Sequence, residues 1–384
     1  MLQLIVFSLV SASFANVYIT QPVLPVLQQE FSADMVVVSL SVSAVILGIA
    51  ISNLPFGYLA DKLPIRPIIL TGGIMVAACS IACALTHNLW ILVISRFLQG
   101  MFIPALTTCL AAYLAKTLPL ERLSIVMGSY VSATVLGGLA GRLLGGWIHP
   151  PLHWRYAFLS AALLMIIATI AAVRGLPASS AHAEPQAQTG GYLELLKRRE
   201  LWPFFLCAAG CFSIFSSVFN YLPFRLAAPP FSFSTELITM MYLSYIVGIF
   251  MGPTAGRISN LYGSGTTLVG GAVVLGLSLM LVMLPSIAAV AAGLLGICAG
   301  FFAVHAAAVG ALNRRLSGGH GRANALYVLF YYIGGWSGIT LSGFAYQQEG
   351  WTAVVVLCLA VLIIPLAAGI GEMKSRRKRL SRHT

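Results

Sequence analysis

Charge is what this sequence has least of. Only 8% of its 384 residues are Asp, Glu, Lys or Arg, and 59% are hydrophobic. So few charges cannot cover that much apolar side chain in water, which excludes a soluble globular fold. The acids are scarcer still. Glu30, Asp34, Asp61, Glu121, Glu184, Glu194, Glu200, Glu236, Glu349 and Glu372 are all ten of them, and each falls in a loop or at the end of an apolar run. No carboxylate cluster exists to hold Mg²⁺ for a membrane transferase, and no phosphate-binding loop exists for a nucleotide. The chain is therefore expected to be no enzyme and no ATP-driven pump, with no cofactor and no metal. Seven cysteines lie within the apolar runs, two pairs (Cys79/Cys83 and Cys207/Cys211) at i, i+4 spacing. They offer too few ligands for a metal site and read as small apolar packing residues.

What is present is a succession of apolar runs. A bilayer core needs about 20 such residues per helix. Windows of that size give twelve spans: 2–27, 35–60, 67–86, 89–115, 122–148, 154–174, 201–226, 235–258, 265–284, 286–312, 322–346 and 351–371. Several spans abut with almost no loop, and the cuts between spans 9 and 10 and between spans 11 and 12 are the weakest. The first run has no basic lead and continues to Pro25 without a cleavage site, so it reads as a retained span.

The net charge of +12 is distributed by topology. With the N-terminus inside, eighteen of the 22 basic residues fall in inner segments, six of them in the tail "KSRRKRLSRHT". This is the positive-inside bias, and an even number of spans puts both termini in the cytoplasm. The tail reads as an anchor near anionic membrane lipid, and nucleic acid is not an expected partner.

The one long polar segment divides the chain. Residues 1–174 form an expected N-terminal six-helix bundle and 175–200 a cytoplasmic linker. Residues 201–371 form a C-terminal six-helix bundle, and 372–384 the basic cytoplasmic tail. The linker's first part is rich in Ala, Pro, Gln, Ser and Gly and reads as flexible; its end, "YLELLKRRE", has the pattern of a short amphipathic helix. The halves repeat one another. "GGLAGRLLGG" in span 5 is matched by "GGWSGITLSG" in span 11, and Gly141 precedes Trp154 by the same thirteen residues that separate Gly338 from Trp351. A duplicated six-helix unit is a transporter signature, with substrate expected near the midplane between repeats.

Three motifs resemble the major facilitator superfamily across the whole chain. "GYLADKLPIRP" resembles its loop between spans 2 and 3 through Gly57, Asp61, Lys62 and Arg66, with Pro64 in place of the usual glycine. "RFLQG", from Arg96 to Gly100, resembles its span-4 motif. In span 5, Gly128, Gly137, Gly141, Gly145 and Gly146 resemble the antiporter motif G-x8-G-x3-G-P-x2-G-G, with Arg142 standing where the proline belongs. Among subgroups the chain is similar to bacterial inner-membrane efflux proteins of the drug:proton antiporter type. The resemblance implies an all-α polytopic membrane protein of twelve transmembrane helices in two pseudo-symmetric six-helix bundles. It also implies alternating access in the bacterial inner membrane, by a monomer whose partners are a small-molecule substrate and protons. The loop residues Gly57, Asp61, Lys62 and Arg66 are then the expected conformational gate, Asp61 opposing a helix end of the other half.

Ionisable groups inside a membrane are functional candidates. Arg142, alone in a glycine-rich run, offers a planar fork for a carboxylate or phosphate, or else pins helix ends by bonding to carbonyls. Arg96, in a motif shared across the family, is expected to support structure or coupling. His305, the one mid-span histidine, is the candidate for proton coupling, with a packed core histidine as the alternative. Tyr18, Gln21, Asn220, Tyr221, Tyr331, Tyr332 and Trp336 are further candidates for substrate contact. With no mid-span acid to pair a cation, the expected cargo is anionic or neutral. The leading expectation is proton-coupled export of a small organic molecule. The alternatives are proton-coupled uptake of an organic anion and, more distantly, a channel or a membrane enzyme.

Overall fold

A computed structural model describes residues 1–176, 191–316 and 318–380, and within them every side chain except those at 120, 121, 124 and 376–380. Most of the linker (177–190) and the last four residues of the basic tail (381–384) therefore lie outside the described residues. The linker's last part is described, and Tyr192–Lys197 is a short helix there. Every secondary-structure element among the described residues is a helix, and there are no strands.

Among the described residues, eleven helical segments are long and apolar enough to cross a membrane. Spans 1 to 4 are Leu2–Glu30, Met35–Lys62, Ile65–Leu85 and Leu89–Thr117. Span 5 is Leu120–Ile148, span 6 Arg155–Gly175, span 7 Trp202–Ala227 and span 8 Thr235–Tyr262. Span 9 is Ser264–Leu281 and span 10 Ile287–Arg314. The last segment, His320–Ser375, holds two crossings. Glu349 and Gly350 leave helical geometry inside it, Gly350 at φ +65°, a conformation open to a residue without Cβ. On one side of this point the chain runs parallel to span 7, with Gly334 against Ala209 and Gly338 against Ser213. On the other side it runs antiparallel: the Cys358 thiol reaches the Ile214 carbonyl, while Ile364 lies against Gly210. The chain thus reverses at Glu349–Gly350, giving spans 11 and 12.

Two compact units emerge, Met1–Pro185 with Leu222–Leu243, and Gln186–Tyr221 with Ser244–Thr384. The segment 222–243, from the end of span 7 to the start of span 8, packs with the first unit. Each unit is built on the same close pair. In the first, a Cβ added at Gly141 would lie 2.6 Å from the Ala15 Cα, and one at Gly137 would lie 2.6 Å from the Ser11 Cα. In the second, a Cβ at Gly338 would lie 2.7 Å from the Ser213 Cα. Small residues every fourth position let the backbones approach where side-chain bulk would hold them apart. Gly145 extends the first seam against Ile19, and Gly146 faces Thr239 and Pro22. Gly128, the first glycine of the antiporter-like motif, has open space where a Cβ would point.

The tryptophans that end the repeat also hold the fold. The Trp154 indole N–H donates to Glu30, which also pairs with Arg155 at 2.7 Å, and Arg155 donates to the Thr86 carbonyl at 2.8 Å. One cluster thereby ties the ends of spans 1, 3 and 6. Trp351 donates instead to the Val282 carbonyl at the end of span 9, at 2.9 Å. All seven cysteines are buried free thiols.

Candidate functional site

Span 1 is broken where it matters most. Its first helix ends at Tyr18, a 3₁₀ turn covers Gln21–Val23, and a second helix runs from Leu24 to Glu30. Pro22 and Pro25 lack the N–H that a continuous ladder would need. At this break Gln21 is buried and its Oε1 accepts a hydrogen bond from Arg142 Nε at 2.7 Å. Arg142 Nη1 donates to the Gly138 carbonyl one turn back in its own helix, at 2.7 Å. The guanidinium carbon lies 3.9 Å from the Tyr18 ring centroid and 5.4 Å from that of Tyr242. Arg142 is only 1% exposed.

Three expected residues, Arg142, Tyr18 and Gln21, thus meet in one cluster of the first unit. Tyr242 joins them, and nothing in the sequence connects it to a residue one hundred positions earlier. Arg142 is more than a pin between peptide carbonyls, because a side-chain amide and two rings also hold it. A charge-assisted hydrogen bond contributes about 1.5–3 kcal/mol, and a desolvated guanidinium–ring contact about 2. These neutral groups fix the direction of the guanidinium without cancelling its charge.

Arg96 is held differently. It is fully buried and donates to the Ser41 carbonyl at 2.8 Å, the Asn16 carbonyl at 2.5 Å, the Val17 carbonyl and Gln99 Oε1 at 2.6 Å. Gln99 donates to Ser80 Oγ at 2.6 Å, and Ser80 donates to Asn16 Oδ1 at 2.7 Å. Spans 1, 2, 3 and 4 are cross-braced through this network, and the guanidinium serves mainly the backbone of neighbouring helices. Asn16 and Ser80 were absent from the sequence expectations, although each is a polar residue in mid-span. Gln99 belongs to the "RFLQG" motif itself.

In the second unit His305 lies among rings. Its Nδ1 is 3.1 Å from the Tyr327 hydroxyl oxygen, the Phe301 ring stacks on it at 5.9 Å, and Tyr331 lies at 5.3 Å. Tyr331 stacks on Phe212 at 3.8 Å, and Tyr332 stands edge-on to Tyr331 at 5.2 Å. His305, Tyr331 and Tyr332 are therefore neighbours. Tyr327 was legible as the residue one helical turn before Tyr331 on the same face. Trp336, half-buried one turn beyond Tyr332, is not brought into these ring contacts among the described residues. Asn220 is buried elsewhere in span 7. Tyr221 donates its hydroxyl to the Ile339 carbonyl at 3.0 Å and stacks on Tyr346.

The loop after span 2 is an ion-pair site. Asp61 pairs with Lys116, from the end of span 4, at 2.5 Å, both about half-exposed. The expected neighbours make other contacts: Lys62 lies over the Tyr58 ring at 4.5 Å, and Arg66 donates twice to the Leu176 carbonyl, at 2.6 and 3.1 Å. Arg66 thereby closes the C-terminus of span 6, where carbonyls lack helical partners. A Cβ at Gly57 would meet nothing within 4 Å. Lys116 is the gate-loop partner that the motif alone did not reveal.

Comparison with known proteins places this arrangement. Residues 6–303 match the family model of the Major Facilitator Superfamily. The chain is similar to the inner membrane transport protein YnfM of Escherichia coli (strain K12), at 29% identity over 95% of this chain and 89% of that protein. It is similar to the uncharacterized MFS-type transporter YybF of Bacillus subtilis (strain 168), at 28% identity over 92% and 89%. Among solved structures it shares a fold with a bacterial homolog of the human lysosomal transporter Spinster, in an inward-facing and occupied conformation. The TM-score is 0.77 at 14% identity, covering 98% of this chain and 96% of that one.

Proposed function

We propose, from the premise that this chain belongs to the major facilitator superfamily, that it exports a small anionic or neutral organic molecule by proton-coupled antiport across a bacterial inner membrane. Family and fold are those of transporters rather than enzymes, and the chain is a multi-pass membrane protein. The observation that carries the anionic reading is the buried Arg142 guanidinium, oriented by Gln21 and lying over the rings of Tyr18 and Tyr242. An ordered planar fork suits a carboxylate better than a flexible ammonium does. Neither Asp61 nor any other acid is mid-span in the sequence, which disfavours a cationic cargo. His305 is the titratable group proposed to carry the proton. The Asp61–Lys116 pair is proposed to act on the balance between conformations rather than on cargo.

The test is flux in proteoliposomes screened with organic acids, neutral compounds and organic cations. The expected result is uphill movement of an organic acid under an imposed pH gradient, abolished when the gradient is collapsed. Arg142→Lys keeps the charge and loses the fork, and should fold normally while losing most transport. Uphill movement of cations alone, or full transport by Arg142→Lys, would overturn the anionic reading. The direction of acid movement relative to the proton gradient separates export from uptake.

A further inference from the structure

A neutral imidazole carries its hydrogen on one ring nitrogen and a lone pair on the other, and the bond made by one decides which is left to take a proton. In His305 the engaged nitrogen is Nδ1. It lies 3.1 Å from the Tyr327 hydroxyl oxygen, and that same hydroxyl is 3.4 Å from the main-chain carbonyl oxygen of His305. A hydroxyl has one hydrogen to donate. Given to Nδ1, it would leave the contact with the carbonyl as two oxygens with no hydrogen between them. Both contacts are hydrogen bonds in one arrangement only: Nδ1–H donates to the Tyr327 oxygen, and the Tyr327 O–H donates to the His305 carbonyl. That carbonyl has a second lone pair for the purpose, beside the one its own helix uses. The ring hydrogen is then on Nδ1, and Nε2 is a lone pair. Nε2 makes no hydrogen bond among the described residues, and His305 is half-buried rather than sealed, whereas Tyr327 is 1% exposed.

The surroundings suit a ring that gains and loses charge. Phe301 stacks on the imidazole and Tyr331 lies beside it, and a cation this close to aromatic rings is attracted by them. The titratable groups around it are few. Span 11 brings the Tyr327 and Tyr331 hydroxyls, and span 7 brings the Cys207 and Cys211 thiols to the Tyr327 side. Spans 8 and 9 meet this stretch of span 10 with glycines, Gly248 on Phe302 and Gly271 on Val304. No carboxylate, lysine or arginine pairs with His305 among the described residues. The hydroxyl of Tyr327 is therefore the polar group that fixes the ring.

We propose that Tyr327 is a positioning residue for proton coupling, which accepts a hydrogen bond from His305 Nδ1–H, donates its own to the His305 carbonyl, and so reserves Nε2 for the coupling proton. The inference rests on the reading of His305 as the proton carrier. A proton arriving at the Nε2 lone pair makes an imidazolium, and neither Tyr327 bond has to break; its departure restores the lone pair. The bond from Nδ1–H becomes charge-assisted in the protonated ring, so Tyr327 stabilises the charged state more than the neutral one.

The experiment uses the full-length protein in lipid nanodiscs with isotope-labelled histidine, read by nitrogen NMR. The chain has seven histidines, and the His305 signals are those lost in His305→Ala. At alkaline pH wild type should carry hydrogen on Nδ1 and none on Nε2, and acidification should add it to Nε2. Tyr327→Phe keeps the ring and removes the hydroxyl. It should abolish the preference for the Nδ1–H form. In proteoliposomes it should also raise the proton concentration for half-maximal pH-driven transport about tenfold, because a hydrogen bond from a charged donor contributes more than one from a neutral donor. Tyr331→Phe should leave both tautomer and midpoint as in wild type, which a general loosening of the ring cluster would not. A neutral wild-type ring with its hydrogen on Nε2 would overturn the inference. So would a tautomer and midpoint unmoved by Tyr327→Phe in a protein that loses its pH response in His305→Ala. A pH response retained in His305→Ala would instead overturn the reading of His305 as the carrier, and the inference with it.

Discussion

Spans 5 and 11 are the same element built twice, and they differ most at one position. Both press glycines against the first helix of their unit, Gly141 on Ala15 and Gly338 on Ser213. Carrying that register along the helices pairs Arg142 with Ile339, Gln21 with Phe219 and Tyr18 with Ser216. In the first unit these residues form a buried polar cluster. In the second, Ile339 is buried with its carbonyl bonded to Tyr221, Phe219 packs against Tyr245 at 4.6 Å, and Ser216 donates to the Gly335 carbonyl. Backbone packing has therefore been retained where side-chain chemistry has diverged. Since Ile339 shows that the seam closes without a cation, Arg142 is not required by the architecture.

The loops tell a parallel story. Lys116, ending span 4, reaches the carboxylate of Asp61, whereas Arg314, ending span 10, reaches the hydroxyls of Ser259 and Ser264. A basic residue in the same place meets a charge in one unit and neutral oxygens in the other.

The strongest test of this comparison is Arg142→Ile, which copies the second unit. It should fold and lose transport of organic acids about a hundredfold, roughly 2.7 kcal/mol in the transition state. Normal transport by this variant, measured in proteoliposomes, would make the arginine structural and remove the asymmetry's functional meaning. His305→Ala probes the other side of the asymmetry. Substrate movement should persist down its own gradient but cease to respond to an imposed pH gradient. A retained response would assign the proton to another group or to the substrate.

Gly141→Ala and Gly338→Ala test the likeness rather than the difference. Each introduces a Cβ against backbone, and each should lower stability by about 1–3 kcal/mol, read as a fall in melting temperature. A large fall for one and none for the other would mean that the two seams are not equivalent. The smallest stability effect is expected for Asp61→Asn. Its partner is half-exposed, so the pair contributes no more than about 1 kcal/mol. Turnover should still slow while substrate affinity stays near wild type. A loss of affinity at unchanged turnover would contradict the gate reading.

Particular residues show how far the sequence could be read. The spans, the duplicated Gly–Trp spacing and the prominence of Arg142 were visible because bilayer thickness and the cost of charge in hydrocarbon act on every position alike. Gln21 was a candidate from its polarity alone, yet its bond to Arg142 depends on a break in span 1 that two prolines only suggest. Gly128 fitted a motif, yet a Cβ there would meet nothing within 4 Å among the described residues.

Composition and periodicity by themselves determined that the chain is helical, that it crosses a membrane repeatedly and that it was duplicated. Those properties follow from hydration and hydrogen bonding, which each segment satisfies locally. Partnership was decided only in three dimensions. Tyr242 beside Arg142, Lys116 on Asp61 and Tyr327 on His305 each join residues from separate segments. Such contacts depend on how helices rotate and close upon one another, and that is set by the packing of whole faces rather than by any single stretch of chain.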